Sequence, residues 1–126
     1  MGQAVAIANV PAGVAYAAVM AAVTRWPGVG VSEGPMEASV ALTFRRQVLG
    51  HVYAACGDHA AVDAIFPATM GEALIALGRG DRHPVVPTPG WVVKTIHAEA
   101  DIAAAIALLR DNYDRVASRL RLVSSN

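Results

Sequence analysis

The sequence predicts an α+β domain, a mostly antiparallel sheet of about four strands with helices packed on one face, in the order α-β-β-β-α-β-α. Three observations carry this prediction. Apolar residues recur at steps of two in successive runs between Met36 and Phe66. They recur at alternating steps of four and three between Ile102 and Leu120. Gly and Pro punctuate the chain where the period changes. A chain of 126 residues can bury one core, and no linker or repeat divides it, so residues 1–126 are expected to form a single domain.

The elements follow in order. Pro11 suits the opening of a helix over about residues 11–26, because its missing N–H would be unpaired there anyway. Tyr16, Val19, Met20 and Val23 give that helix an apolar stripe, and Trp26-Pro27-Gly28 stops it. Met36, Ala38, Val40, Leu42 and Phe44 alternate as a half-buried strand. Arg45-Arg46 could grip an anion but reads as well as a solvated hairpin tip before a second strand from Val48 to Tyr53. Gly57-Asp58 marks the next bend, and Ala60, Val62, Ala64 and Phe66 form a third strand. Thr69-Met70-Gly71-Glu72 has the form of a capping box before a short helix through Leu74 and Leu77, ended by Gly78 and Gly80. Three prolines force an ordered loop from Asp81 to Gly90, and Trp91 to Ile96 returns to strand. The last helix carries Ile102, Ile106, Leu109, Tyr113, Val116 and Leu120 on one face. Glu99 and Asp101 lie near its positive end, with Arg115, Arg119 and Arg121 near its negative end.

Composition narrows the function classes. Ten basic and ten acidic residues balance, which argues against a nucleic-acid partner, since phosphate neutralisation needs clustered Lys and Arg. Zero net charge removes one barrier to self-association, so a homodimer is compatible with the sequence. Cys56 is the only cysteine, which rules out an intrachain disulfide or a thiolate metal cluster and fits a cytoplasmic location. Residues 4–23 are uncharged and Ala15-Tyr16-Ala17 has the look of a cleavage site. No Lys or Arg precedes the run, however, and Pro11, Gly13 and the many alanines oppose both a leader and a membrane span.

A set of short motifs points to a family. These are Leu49-Gly50-His51-Val52-Tyr53, Val62-Asp63-Ala64-Ile65-Phe66-Pro67, His83-Pro84-Val85-Val86-Pro87, Gly90-Trp91-Val92 and, after Asp101-Ile102, Asn112-Tyr113-Asp114-Arg115. Together they resemble the small bacterial luciferase-domain family over about residues 26–118. The label implies a cofactor-independent oxygenation of an organic luciferin, an activity not carried over to this chain. Family members often show His-x-His where this chain has His51-Val52-Tyr53, and Ala54-Ala55-Cys56 has the look of a local insertion.

The residues themselves suggest the chemistry. A neutral imidazole can take up or give a proton near neutral pH. His51 in a strand is a candidate general base, and His83 in the proline-rich loop a candidate acid or hydrogen-bond donor. Tyr53, Asp63 and Trp91 are candidate ligand-binding groups around them. A zinc site from His51, His83 and Asp63 lacks any compact ligand spacing, so no metal and no cofactor are expected. His59 and His97 are expected to make local backbone hydrogen bonds. Gly78-Arg79-Gly80-Asp81-Arg82 lacks the ending of a phosphate loop. Two function classes result. One is a module that binds a small organic ligand or a partner, with the loop from His83 to Trp91 as one wall. The other is a cofactor-independent enzyme using His51 and His83.

Overall fold

Period-two sequence becomes antiparallel hairpins. The computed structural model describes residues 9–86 and 88–124, with side chains as far as Leu120. Its elements are α1 (Ala12–Val23), β1 (Val29–Glu33), β2 (Ser39–Phe44), β3 (Gln47–Cys56), β4 (His59–Ile65), α2 (Ala68–Ala76), β5 (Asp81–Arg82), β6 (Trp91–Ile96) and α3 (Glu99–Ser124). Among the described residues the strands form one antiparallel sheet in the order β1-β2-β3-β4-β6-β5. The α+β class therefore stands, with six strands in place of about four. The two added strands are the sheet edges. Val29–Glu33 becomes exposed along its length, and Asp81–Arg82 is a short exposed polar pair, so neither shows the alternation of a half-buried strand.

Register partners across antiparallel strands point to the same face. Val40, Val52, Val62 and Val92 lie on one face and pack with Val19 and Val23 of α1 and with Leu108, Leu109 and Val116 of α3. Asn112 of α3 is fully buried beneath this layer and gives Nδ2–H bonds to the carbonyls of Leu49 (2.7 Å) and Ile65 (2.9 Å). Its Oδ1 accepts from Arg115 Nε. One amide thus clamps β3, β4 and α3 together.

Several local expectations are corrected. The first predicted strand begins at Ser39 rather than Met36, because Ala38 adopts φ 59° and the Ser39 hydroxyl bonds back to Met36. The capping box does not form: α2 starts after Pro67 with no side-chain cap, and the Glu72 carboxylate grips Arg82 instead. Gly78 (φ 77°) ends that helix as expected, with Gly80 already beyond it. Arg45 and Arg46 are the two central residues of the β2–β3 turn and both take positive φ (49° and 71°), as a type I′ turn requires. The register of β3 against β4 shifts between Tyr53 and Cys56, where Ala54 and Ala55 are accommodated.

The N-terminal run is a packed helix in its described part, with Ala15 fully buried against the core. Residues 4–8 of that run, Pro87 of the His-Pro motif and the Arg121 side chain lie outside what is described. Among the described residues no helix is long and apolar enough to cross a membrane.

The start of α3 carries a pH-sensitive cap. Asp101 Oδ2 accepts the backbone N–H groups of Ala98 and His97, each at 3.0 Å. These bonds, with that from Ala98 the larger influence, hold its carboxyl below the usual aspartate range against the opposing effect of burial. A lowered folded pKa stabilises the protein above the unfolded value, and the gain is lost as pH falls through the folded pKa. Asp101→Asn is expected to flatten the loss of stability below about pH 4, read from urea midpoints as a function of pH.

Candidate functional site

The sheet face turned away from α1 and α3 carries the polar residues. His51 and Tyr53 are two positions apart on β3 and so share that face. The pairings His51↔Asp63 and Ile65↔Trp91 bring Asp63 of β4 and Trp91 of β6 onto it as well. His83 joins them from the loop after β5. That loop is held by backbone contact: Phe66 N donates to Gly90 O, and a Cβ on Gly71 would stand 2.4 Å from Gly90 Cα. Gly90 itself has φ 99°, and any Cβ there would meet the Phe66 carbonyl oxygen at 2.2 Å. Two glycines thus let α2 and the loop close on each other and seat Trp91.

Asp63 is the centre of the cluster. It is fully buried, and its carboxylate accepts from three donors. Oδ1 takes His51 N at 3.1 Å and His51 Nδ1 at 2.9 Å, and Oδ2 takes the Tyr53 hydroxyl at 2.6 Å. His83 Nε2 stands 3.7 Å from Oδ2. A carboxylate can only accept, so a neutral His51 carries its proton on Nδ1 and leaves its lone pair at Nε2. That pattern orients an imidazole as a base. His83 is set the opposite way. Its Nδ1 accepts Val85 N (3.1 Å) and Val86 N (2.9 Å), which leaves the proton on Nε2, facing Asp63.

This geometry separates the roles proposed for the two histidines. His83 commits its Nδ1 lone pair to the loop backbone and turns Nε2 toward Asp63. Tyr53 is a fixed donor: burial, then the hydrogen bond to Asp63, push its phenol well above the ordinary tyrosine range. Burial and the nearby Asp63 charge raise the Cys56 thiol too, so it carries little thiolate. Trp91 lies against both imidazoles, with ring centres 5.8 Å from His51 and 5.6 Å from His83, the latter edge-on. Beside it a cleft of about 100 Å³ is lined by Glu72, Arg82, His83, Val86, Thr88 and Trp91.

All five residues singled out from the sequence therefore meet at one place. Among the described residues no group of three His, Cys, Asp or Glu side chains is arranged to hold a metal ion. His97 makes a local backbone hydrogen bond as expected, its N–H donating to Asp101, and its carbonyl accepts from Val10 N. The His59 ring meets Asp58 Oδ1 at 3.0 Å and packs on the His97 ring with centres 4.6 Å apart. The Glu72–Arg82 pair joins α2 to β5 and leaves no periodicity, and the two amides on His83 belong to a local turn that no residue pattern marks.

The family model of the Luciferase domain matches residues 46–112. The chain belongs to this family. The match spans just over half of the 126 residues and contains His51, Tyr53, Asp63, His83 and Trp91. It ends on Asn112, the residue that clamps β3 and β4 to α3. No curated protein and no solved structure matches the chain. Tyr53, at the position where the resemblance expects a second histidine, supplies its hydroxyl to Asp63.

Proposed function

We propose that this luciferase-domain protein binds a small, single-ring organic molecule bearing an acidic O–H, and that His51 accepts its proton. The observation that carries this reading is the Asp63–His51 hydrogen bond at 2.9 Å, with the carboxylate fully buried. A buried carboxylate on Nδ1 fixes the tautomer and stabilises the imidazolium formed when Nε2 takes a proton. Tyr53 holds the second carboxylate oxygen, so the dyad does not rotate. His83 Nε2–H and the Trp91 indole provide a hydrogen-bond donor and a flat apolar wall. The cleft of about 100 Å³ is lined by His83 and Trp91 rather than by His51 itself, whose ring centre lies 5.8 Å from that of Trp91. It suits one ring, because ordinary drug-sized sites enclose roughly 300–1,000 Å³.

The reading joins the two function classes drawn from the sequence. Binding of a small organic ligand is the coarser claim, and proton abstraction by His51 is the finer one. A phenolate or enolate made in this way is the electron-rich species that cofactor-independent chemistry on such substrates needs. The direct test uses 4-nitrophenol, whose phenolate is coloured. The wild-type protein is expected to bind it and to lower its apparent pKa. His51→Gln, which keeps a polar side chain but loses the base, is expected to weaken binding at least tenfold, about 1.4 kcal/mol, and to abolish the pKa change. Equal spectra for the two folded proteins would sink the proposal.

A further inference from the structure

A second cavity lies away from the Asp63 face, at the β2–β3 turn. Pro27, Phe44, Tyr113, Ala117 and Leu120 line about 300 Å³ of space, and Arg45 supplies the one charge on its wall among the described residues. We propose that this cavity binds a small amphiphilic carboxylate, with its apolar body against Phe44, Tyr113 and Leu120 and its anionic end on Arg45.

The interior asks for an apolar occupant. The Tyr113 hydroxyl on its wall already donates to the Pro27 carbonyl at 2.6 Å. The wall is built closely, since Gly28 adopts φ 80° and a Cβ there would stand 2.6 Å from Phe44 Cε1. Its volume falls at the lower end of the roughly 300–1,000 Å³ typical of small-molecule sites.

The mouth asks for an anion. Among the described residues neither Arg45 nor Arg46 has a carboxylate partner in an ion pair. The Arg45 guanidinium instead lies 5.8 Å from the Phe44 ring centre, at the edge of the apolar space. A guanidinium fork matches a carboxylate in two parallel hydrogen bonds. The turn points the same way. Both arginines hold positive φ at positions where Asn-Gly is the favoured pair, so they are poor choices for the turn itself. Backbone strain of this kind gathers where a side chain is needed for another purpose.

That conflict supplies the test. Arg45→Asn with Arg46→Gly gives the turn its preferred residues and removes both charges. Calorimetric titration would use decanoate and its uncharged analogue decanol. The wild-type protein is expected to bind decanoate at least tenfold more tightly than decanol. The double variant is expected to melt at a higher temperature and yet bind decanoate at least tenfold more weakly. Ala117→Phe, which fills the cavity, is expected to abolish binding of both, and His51→Gln is expected to leave decanoate affinity within twofold. The proposal is overturned if folded wild-type protein fails to bind decanoate, if decanol binds equally well, or if the double variant retains full affinity. Loss of decanoate binding in His51→Gln would place the ligand at the Asp63 face and overturn it as well.

Discussion

Asp63→Ala is expected to destabilise the domain by about 3–5 kcal/mol, the range for breaking one partner out of a buried charged network. The carboxylate is fully buried and satisfies His51 N, His51 Nδ1 and the Tyr53 hydroxyl. Its removal strands three largely buried donors, and each unmatched donor costs about 1–3 kcal/mol unless the structure relaxes. For a domain of this size the loss corresponds to roughly 10–20 °C in melting temperature, measurable by calorimetry. Asp63→Asn keeps the shape and one acceptor, so it should cost less. Its amide also cannot accept at both ends, and the Tyr53 hydroxyl must then turn to accept. The order wild type, Asn, Ala in stability is the specific expectation. Equal stability of all three proteins would mean that Asp63 has no net role in holding the face together.

The second large effect is expected at Asn112. Asn112→Asp changes one atom in shape but reverses the hydrogen bonding, because a carboxylate cannot donate to Leu49 O and Ile65 O. Three oxygen atoms would then crowd together in a fully buried position. A loss of about 3–5 kcal/mol is expected at neutral pH, larger than for Asn112→Ala, which leaves two unpaired carbonyls and a small void. Part of the loss in Asn112→Asp should return as pH falls, since a protonated acid can donate one bond. Urea midpoints at neutral and acid pH for the two variants check both the order and the pH trend. A milder effect for Asp than for Ala would contradict the clamp described here.

The fold was legible where a period persists. The alternation from Val40 to Phe66 and the stripe from Ile102 to Leu120 both reflect burial on one side of an element, and burial is written in single residues. The two edge strands were not legible for the converse reason: Val29–Glu33 and Asp81–Arg82 gain their pairing from a neighbour rather than from an apolar face. Thr69 to Glu72 shows how a local pattern loses to a tertiary contact, since the Glu72 carboxylate finds a guanidinium it could not reach within its own helix. Arg45-Arg46 gave a hairpin tip but not its turn type, because the φ values there run against the preferences of the residues.

The candidate site was legible as a set of residues but not as an arrangement. His51, Tyr53 and Asp63 share a face through parity and register, which the strand pattern already contains. The tautomers were not legible. They depend on Val85 N and Val86 N at one histidine and on a buried carboxylate at the other, and these are contacts across twelve or more residues, or within a turn of no fixed type. Of the two readings of His83, acid or hydrogen-bond donor, the loop bonding suits the donor, and His51 is kept as the proposed base.

The central claim is that Asp63 and the loop backbone set the two imidazoles in opposite tautomers. Long-range ¹⁵N–¹H NMR of the histidine side chains tests it most directly. At a pH where both rings are neutral, the account predicts His51 protonated on Nδ1 with a free Nε2, and His83 protonated on Nε2. Asp63→Ala, which removes the acceptor, should disturb the His51 pattern while leaving His83 Nδ1 bonded to the loop. His51 protonated on Nε2 in the wild-type protein would contradict the account, because no lone pair would then be left to take a proton from a ligand.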